Sequence, residues 1–242
     1  MTTIVVVAPA QWLAFEIRKA SGGQVELADA TGSVWSGRAI VVIGSGELGT
    51  APVSLAGPLS WKLSAWPLLA GVIDLTLSHP TVLAQPLTVR ATFRQHVDLG
   101  ADTLRLPASL LAALGAPWNT IRPGGIIMLS WDRLSIEPGH IVGNLSAEWQ
   151  FASSGLTAVS PFGHYRLQTN GIYPGTQLQL TTLSGPLELS GNGTIGEGAR
   201  VRFQGVARVV PGADPAVKVQ LAGLIALLGR REGDTAILSF GN

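Results

Sequence analysis

Along residues 86 to 99 the chain alternates. Leu87, Val89, Ala91, Phe93, Val97 and Leu99 are apolar, Thr88, Arg90, Thr92, Arg94, His96 and Asp98 are polar, and Gln95 alone breaks the apolar row. Successive side chains of extended backbone leave opposite faces, so this pattern predicts a strand with one buried and one wet face. The same alternation sets Ile141, Leu145, Ala147, Trp149 and Phe151 against Asn144, Ser146, Glu148 and Gln150, and sets Val201, Phe203, Ala207 and Val209 against Arg200, Arg202, Gln204 and Arg208. Shorter runs predict strands near 24–29, 38–43, 53–63, 71–78, 126–136, 164–170, 176–183, 187–190 and 235–240.

Three helices interrupt the strands. One covers about 10–20, with Leu13, Ile17 and Ala20 on one side, and a short one runs from Pro107 to Leu114 and stops at Gly115. For the third, near 215–228, Asp214 can cap, Pro215 suits the first turn, Val217, Leu221, Leu224 and Leu228 form a stripe, and Gly229 ends it. With 30 Gly and 15 Pro punctuating short strands, the expected fold is mainly β. It consists of large antiparallel sheets of glycine-bounded hairpins, open or groove-like, with two or three short helices. Gly32–Gly37 resembles Gly193–Gly198, and Gly57-Pro58-Leu59 recurs as Gly185-Pro186-Leu187 in reversed order. This predicts similar hairpins and not a tandem duplication.

Composition narrows the partners. Charged residues are 13% of the 242, against about 25% in ordinary soluble domains, and hydrophobic residues are 46%. The net charge is +1 with no block of like charges, so the field that gathers nucleic acid is missing. Without cysteine there are no disulfides and no thiolate chemistry. No run reaches the ~18 apolar residues of a membrane span, although Ile4 to Ala8 forms an apolar stub.

Gly44, Gly46 and Gly49 have the G-x-G-x-x-G spacing of a dinucleotide turn, whose chemistry requires a helix to start beside the pyrophosphate. Here Pro52, Gly57 and Pro58 oppose a helix, and the spacing recurs at Gly191, Gly193 and Gly196 before an alternating strand. Both read as turn chemistry, so no cofactor is expected. The four histidines stand apart, no metal-ligand spacing occurs, and no G-x-S-x-G elbow marks a nucleophile. His96 and Asp98 share a strand face without a Ser or Thr to activate, and the arginines Arg200, Arg202 and Arg208 form a stripe that reads as a solvated sheet surface. Neither an enzyme nor a metal protein is expected.

Two phrases are more specific: LGAPWNTIRPGGIIMLSW at 114–131 and SPFGHYRL at 160–167. With Pro9-Ala10-Gln11-Trp12-Leu13, Gly32–Gly37, LSGPLELSGNG and LLGRR at 227–231, they occur in the order found in type II secretion system protein N, and the chain resembles that family, GspN, from about Ala8 to its end. The resemblance implies an inner-membrane protein of Gram-negative bacteria with one membrane helix and a periplasmic β-rich domain. Residues 1–8 would then be the end of that anchor, or else a first strand, and 9–242 a single periplasmic domain. It also implies a non-enzymatic accessory that binds other inner-membrane or periplasmic secretion components. A fainter similarity, to AsmA-like bridge proteins with groove-shaped sheets, agrees with the rival expectation of a lipid or hydrophobic-ligand carrier with an apolar groove.

Trp118, Asn119, Arg122, Pro123 and Gly124, between a helix and a strand, are the candidate partner-contact surface. The competing expectation for Trp118 is a plug in the core, where large aromatics bury most of their area. Trp131 and Trp149 lie in apolar rows and are expected in the core.

Overall fold

The computed structural model describes residues 8–44, 52–93, 95–114, 118–138, 140–170, 172–233 and 235–241. The strands, in chain order, are β1 (Val25–Gly32), β2 (Ser36–Ile43), β3 (Val53–Leu63), β4 (Val72–Ser78), β5 (Leu87–Thr92), β6 (Val97–Leu99), β7 (Asp102–Pro107), β8 (Pro123–Trp131), β9 (Leu134–Glu137), β10 (His140–Val142), β11 (Leu145–Ser154), β12 (Gly163–Asn170), β13 (Ile172–Tyr173), β14 (Thr176–Ser184), β15 (Leu187–Ile195), β16 (Val201–Val209), β17 (Arg230–Glu232) and β18 (Thr235–Phe240). The helices are α1 (Ala10–Ala20), α2 (Ala65–Leu69), α3 (Trp118–Ile121) and α4 (Pro215–Leu228), and a 3-10 helix spans Ala108–Leu114.

Two antiparallel nine-stranded sheets result, with strand orders β1-β2-β3-β4-β5-β6-β9-β10-β13 and β17-β18-β16-β15-β14-β12-β11-β8-β7. Neither order closes on itself, so the mainly β, open expectation holds. In the first sheet β6, β9, β10 and β13 are successive neighbours, and so are β7, β8, β11 and β12 in the second. At most two residues separate β6 from β7, β8 from β9, β10 from β11 and β12 from β13. Strands therefore run out of one sheet, bend, and enter the other, which is how orthogonal sheets make corners.

The bends are held by specific contacts. The Trp131 indole donates to the Gly100 carbonyl at 2.6 Å, and the Thr169 hydroxyl accepts from the Leu145 amide at 2.9 Å. At Gly143, φ is 141°, and a Cβ there would strike the backbone of the Arg133 bend next to it.

This corner corrects three sequence expectations. The strand foreseen over 126–136 is β8 and β9 in different sheets, broken at Asp132 and Arg133, and the row from Ile141 to Phe151 breaks at Gly143. Phe151 has a φ of 51° where the β8–β11 register shifts, so its side chain is turned out and 56% exposed. Residues 86–99 make two strands with a turn that holds Gln95 and His96, and Phe93 is exposed beyond the end of β5.

Of the helices, α1 and α4 stand where the pattern put them. Asp214 accepts from the Ala216 amide at 2.8 Å with Pro215 at the first position. The segment ending at Leu114 is a 3-10 helix, and Gly115 lies outside the described residues. Single-turn α2, with Pro67 inside it, and α3 were not foreseen.

The glycine readings divide. The segments at 32–37 and 195–201 are both hairpin turns, closed by Ser33 N–H to Ser36 O and Gly196 N–H to Arg200 O at 2.9 Å each, but the second is one residue longer and holds a 3-10 turn at Glu197–Ala199. Gly185 sits in the β14–β15 turn, whereas Gly57 sits inside β3, both with positive φ. Gly44 ends β2, Gly46 and Gly49 lie outside the described residues, and β3 follows, paired with β2. Gly191 and Gly193, read as turn residues, instead lie in mid-strand in β15. They face Gly205 and Phe203, and a Cβ on Gly191 would come within 2.5 Å of the Phe203 ring. They are glycine because an aromatic ring lies flat across them.

Each sheet has its own core. Leu27, Ala39, Val41, Leu55 and Trp61 build the first, with Leu13 and Ile17 of α1 against them and Leu104 and Leu106 of β7 reaching in from the second sheet. The second core gathers Ile121, Phe162, Tyr165, Leu187, Phe203, Ala207, Ala236 and Leu238 under Leu221, Leu224 and Ile225 of α4.

Candidate functional site

The two faces of the second sheet differ in kind. Cross-strand pairing puts Thr103, Ser130, Ser146, Gln168, Gln179, Asn192, Gln204 and Ser239 in one unbroken row on the outer face. Uncharged amides and hydroxyls keep this face wet, which accounts for a chain with so few charges. Open troughs of about 450, 840 and 720 Å3 lie along it.

The inner rows are apolar. One runs Leu104, Leu129, Ala147, Leu167, Leu180, Gly191, Gly205, Leu238. Where Leu221, Leu224 and Ile225 of α4 press on the sheet the core is closed. Beside the Leu224 and Leu228 side of that helix the rows stay open, and a cavity of about 570 Å3 lies between them, Trp118, Trp149 and the 3-10 helix residue Leu111. The size of this cavity falls in the range of roughly 300–1,000 Å3 typical of small-molecule sites.

Few polar groups border the cavity, and the ring donors of Trp149 and Tyr165 are already bonded. The Trp149 indole donates to Gly124 O at 2.9 Å, and the Tyr165 hydroxyl donates to Leu187 O at 2.9 Å. Burial pushes the Tyr165 phenol far above its usual pKa, so it stays neutral. Glu148 also borders the cavity, but by alternation its side chain leaves on the outer face, where it meets Arg166 at 2.7 Å. That guanidinium holds the Glu148 carboxyl below its ordinary range.

The sequence-chosen contact residues fall on both sides of this wall. Trp118 is half-buried, packs on the second core and lines the cavity, so the plug expectation describes it better than an exposed contact. Pro123 is buried and Gly124 half-buried at the start of β8, while Asn119 and Arg122 are exposed. The loop is stiff: Ile121 O accepts from the buried Ser154 hydroxyl at 2.5 Å and from the Gly155 amide at 3.2 Å. Trp131 is buried in the sheet, as expected.

His96 joins two carboxylates, with Nε2 2.9 Å from Asp98 and Nδ1 2.9 Å from Glu137 of β9. Its pKa is held above the ordinary value, first by the hydrogen bond to Asp98 and then, against a desolvation that opposes it, by the charge of Asp98 and the bond to Glu137. This ties the β5–β6 turn to β9, and the described neighbours include no hydroxyl nucleophile bonded to it. Of the arginine stripe, Arg208 is bound to Glu188 at 2.6 Å, while Arg200 and Arg202 are exposed. Among the described residues no group of three potential ligands could hold a metal ion, and no helix is long and apolar enough to cross a membrane.

Sequence reasoning offered an apolar groove without its residues, because the wall is assembled from seven strands, two α-helices and the 3-10 helix, each contributing one to three residues. The signal was present in the paired alternations of Leu178–Leu180 and Leu187–Leu189, but their convergence is a tertiary fact. A family profile described as type II secretion system (T2SS), protein N, matches residues 23–238. No curated protein and no solved structure matches.

Proposed function

The chain belongs to the type II secretion system protein N family, and from that membership we propose that it is a non-enzymatic accessory of the machinery, acting by binding its other inner-membrane or periplasmic components. A role in type II secretion, a protein-transport process of the Gram-negative envelope, follows from the family itself. The observation that carries the finer reading is the extent of the match, nearly the whole chain, on a fold whose candidate site offers surfaces and an apolar cavity in place of a nucleophile with its base. In this reading the domain faces the periplasm of an inner-membrane protein.

Asn119 in α3 and Arg122 just after it are the proposed contact point, exposed on a turn that Ser154 and Gly155 fix from below. A photo-crosslinking residue at either position, in cells making the intact secretion system, is expected to trap a secretion component. Crosslinks confined to Gln179, on the wet face of the second sheet, would move the contact elsewhere. No crosslink to any secretion component from either face would overturn the reading.

A second reading, a carrier of a hydrophobic ligand, has one observation in its favour: the apolar cavity beside α4.

A further inference from the structure

The cavity identifies its own occupant by chemistry. A peptide inserted there would bring an N–H and a C=O with every residue, and water would need two or more partners, yet the Trp149 indole and the Tyr165 phenol are already bonded. Only a ligand without hydrogen-bonding atoms fits the depth of the site.

The mouth is marked by exposure. Val201 at the start of β16 and Phe240 at the end of β18 line the cavity while 40% and 55% exposed, and Leu178 and Phe203 behind them are buried. Arg200 and Arg202 precede and follow Val201. Both are exposed, and neither has an ion-pair partner among the described residues, unlike Arg208. By alternation Arg202 leaves on the outer face, where it lines the trough with Gln204, so a ligand's head meets water at the mouth while its tail goes in.

We propose that the cavity holds one acyl chain of a lipid, its tail along Leu167, Leu180 and Leu238 and its head in water at the mouth beside Val201 and Phe240. The proposal rests on the hydrophobic-ligand reading above and adds the ligand class and its orientation. A fatty acid and a phospholipid present the same chain to the site.

The test uses the 242-residue chain and two probes. Cis-parinaric acid, a fluorescent fatty acid, is expected to bind saturably at one per chain and to be displaced by palmitate. Ala147→Trp, which fills the cavity from β11, is expected to weaken binding at least tenfold, whereas Gln179→Trp on the opposite face leaves it unchanged.

Should Ala147→Trp lose its far-ultraviolet dichroism, quenching of Trp118 and Trp149 emission by dibromostearate in the unaltered chain locates the ligand instead. Quenching that Trp118→Phe and Trp149→Phe do not reduce would overturn the site. Native mass spectrometry of the protein from cells then separates the sources, since a fatty-acid or a phospholipid mass at one per chain each supports the proposal. A polyisoprenoid mass, with no parinaric acid binding, overturns the acyl assignment and leaves the hydrophobic-ligand reading standing. No adduct and no probe binding overturn both.

Discussion

The phenol of Tyr165 on β12 reaches past β14 to donate to the carbonyl of Leu187, at the start of β15, at 2.9 Å. The two strands are not neighbours, since β14 lies between them. The bond therefore ties the end of the β14–β15 hairpin to the sheet, and both residues are buried. Tyr165→Phe keeps the ring and leaves the carbonyl short of a partner, so a loss of about 1 kcal/mol is expected from chemical denaturation. Burial holds the phenol neutral far above its usual range. The phenolate titration of the folded protein should accordingly be the same in the variant, and a lost titration step would show that the phenol is wetter than its burial implies.

Gly191 and Phe203 make a second prediction. The Phe203 ring occupies the space that a side chain at Gly191 would need, with Gly205 on the neighbouring strand. Gly191→Val suits a strand by propensity but forces the ring out of its place, so overpacking should cost about 1–3 kcal/mol. A neutral or stabilising result in thermal unfolding would mean that the ring does not lie on the glycines. Since Phe203 also borders the cavity, the variant should disturb that end of the second sheet first, visible as faster amide exchange in β15 and β16.

How much of this was legible follows from which facts are local. Alternation along Val201–Val209 identified the strand and its buried face, because one strand's two faces are written in its own residues. The cap and stripe of α4 were legible for the same reason. Alternation also continued unbroken from Ile141 to Leu145, however, where the chain leaves one sheet and enters the other. A bend at a glycine preserves the parity of the pattern, so nothing in it records the change of sheet. Phe151 was misassigned because a single positive φ reverses the face, and its sequence carries no mark of that. Trp118 was legible as a large aromatic before a strand, but whether it faces a partner or a cavity depends on α4, a hundred residues away in sequence.

The His96 pair of carboxylates predicts a pH dependence with a definite sign. The folded-state pKa is raised from the ordinary 6.5, so the folded protein binds the proton more tightly than the unfolded chain. The stabilising contribution is therefore complete below 6.5 and is lost as pH rises through the raised value. His96→Gln should flatten the stability profile across that window and change little above it. An imidazole titration by nuclear magnetic resonance that places His96 below 6.5 would contradict the bridging geometry. Because His96 is only half-buried and both carboxylates are open to solvent, the effect should also weaken with added salt.

Leu221 tests how α4 is seated. It is fully buried against Ala207, Ala236 and the ring cluster, whereas Val219, two residues earlier on the same helix, is 76% exposed. Leu221→Ala removes packed side-chain atoms from a closed part of the core and should cost about 2–5 kcal/mol. Val219→Ala should cost less than about 0.5 kcal/mol, as surface changes do. The helix also bounds the apolar cavity through Leu224 and Leu228. If α4 is seated as described, Leu221→Ala should loosen amide protection along the helix before the sheet beneath it unfolds, and it should weaken any ligand held there without touching the mouth at Val201. Equal losses from the two substitutions would mean that the helix presents a different face to the sheet, and the wall of the cavity would have to be redrawn with it.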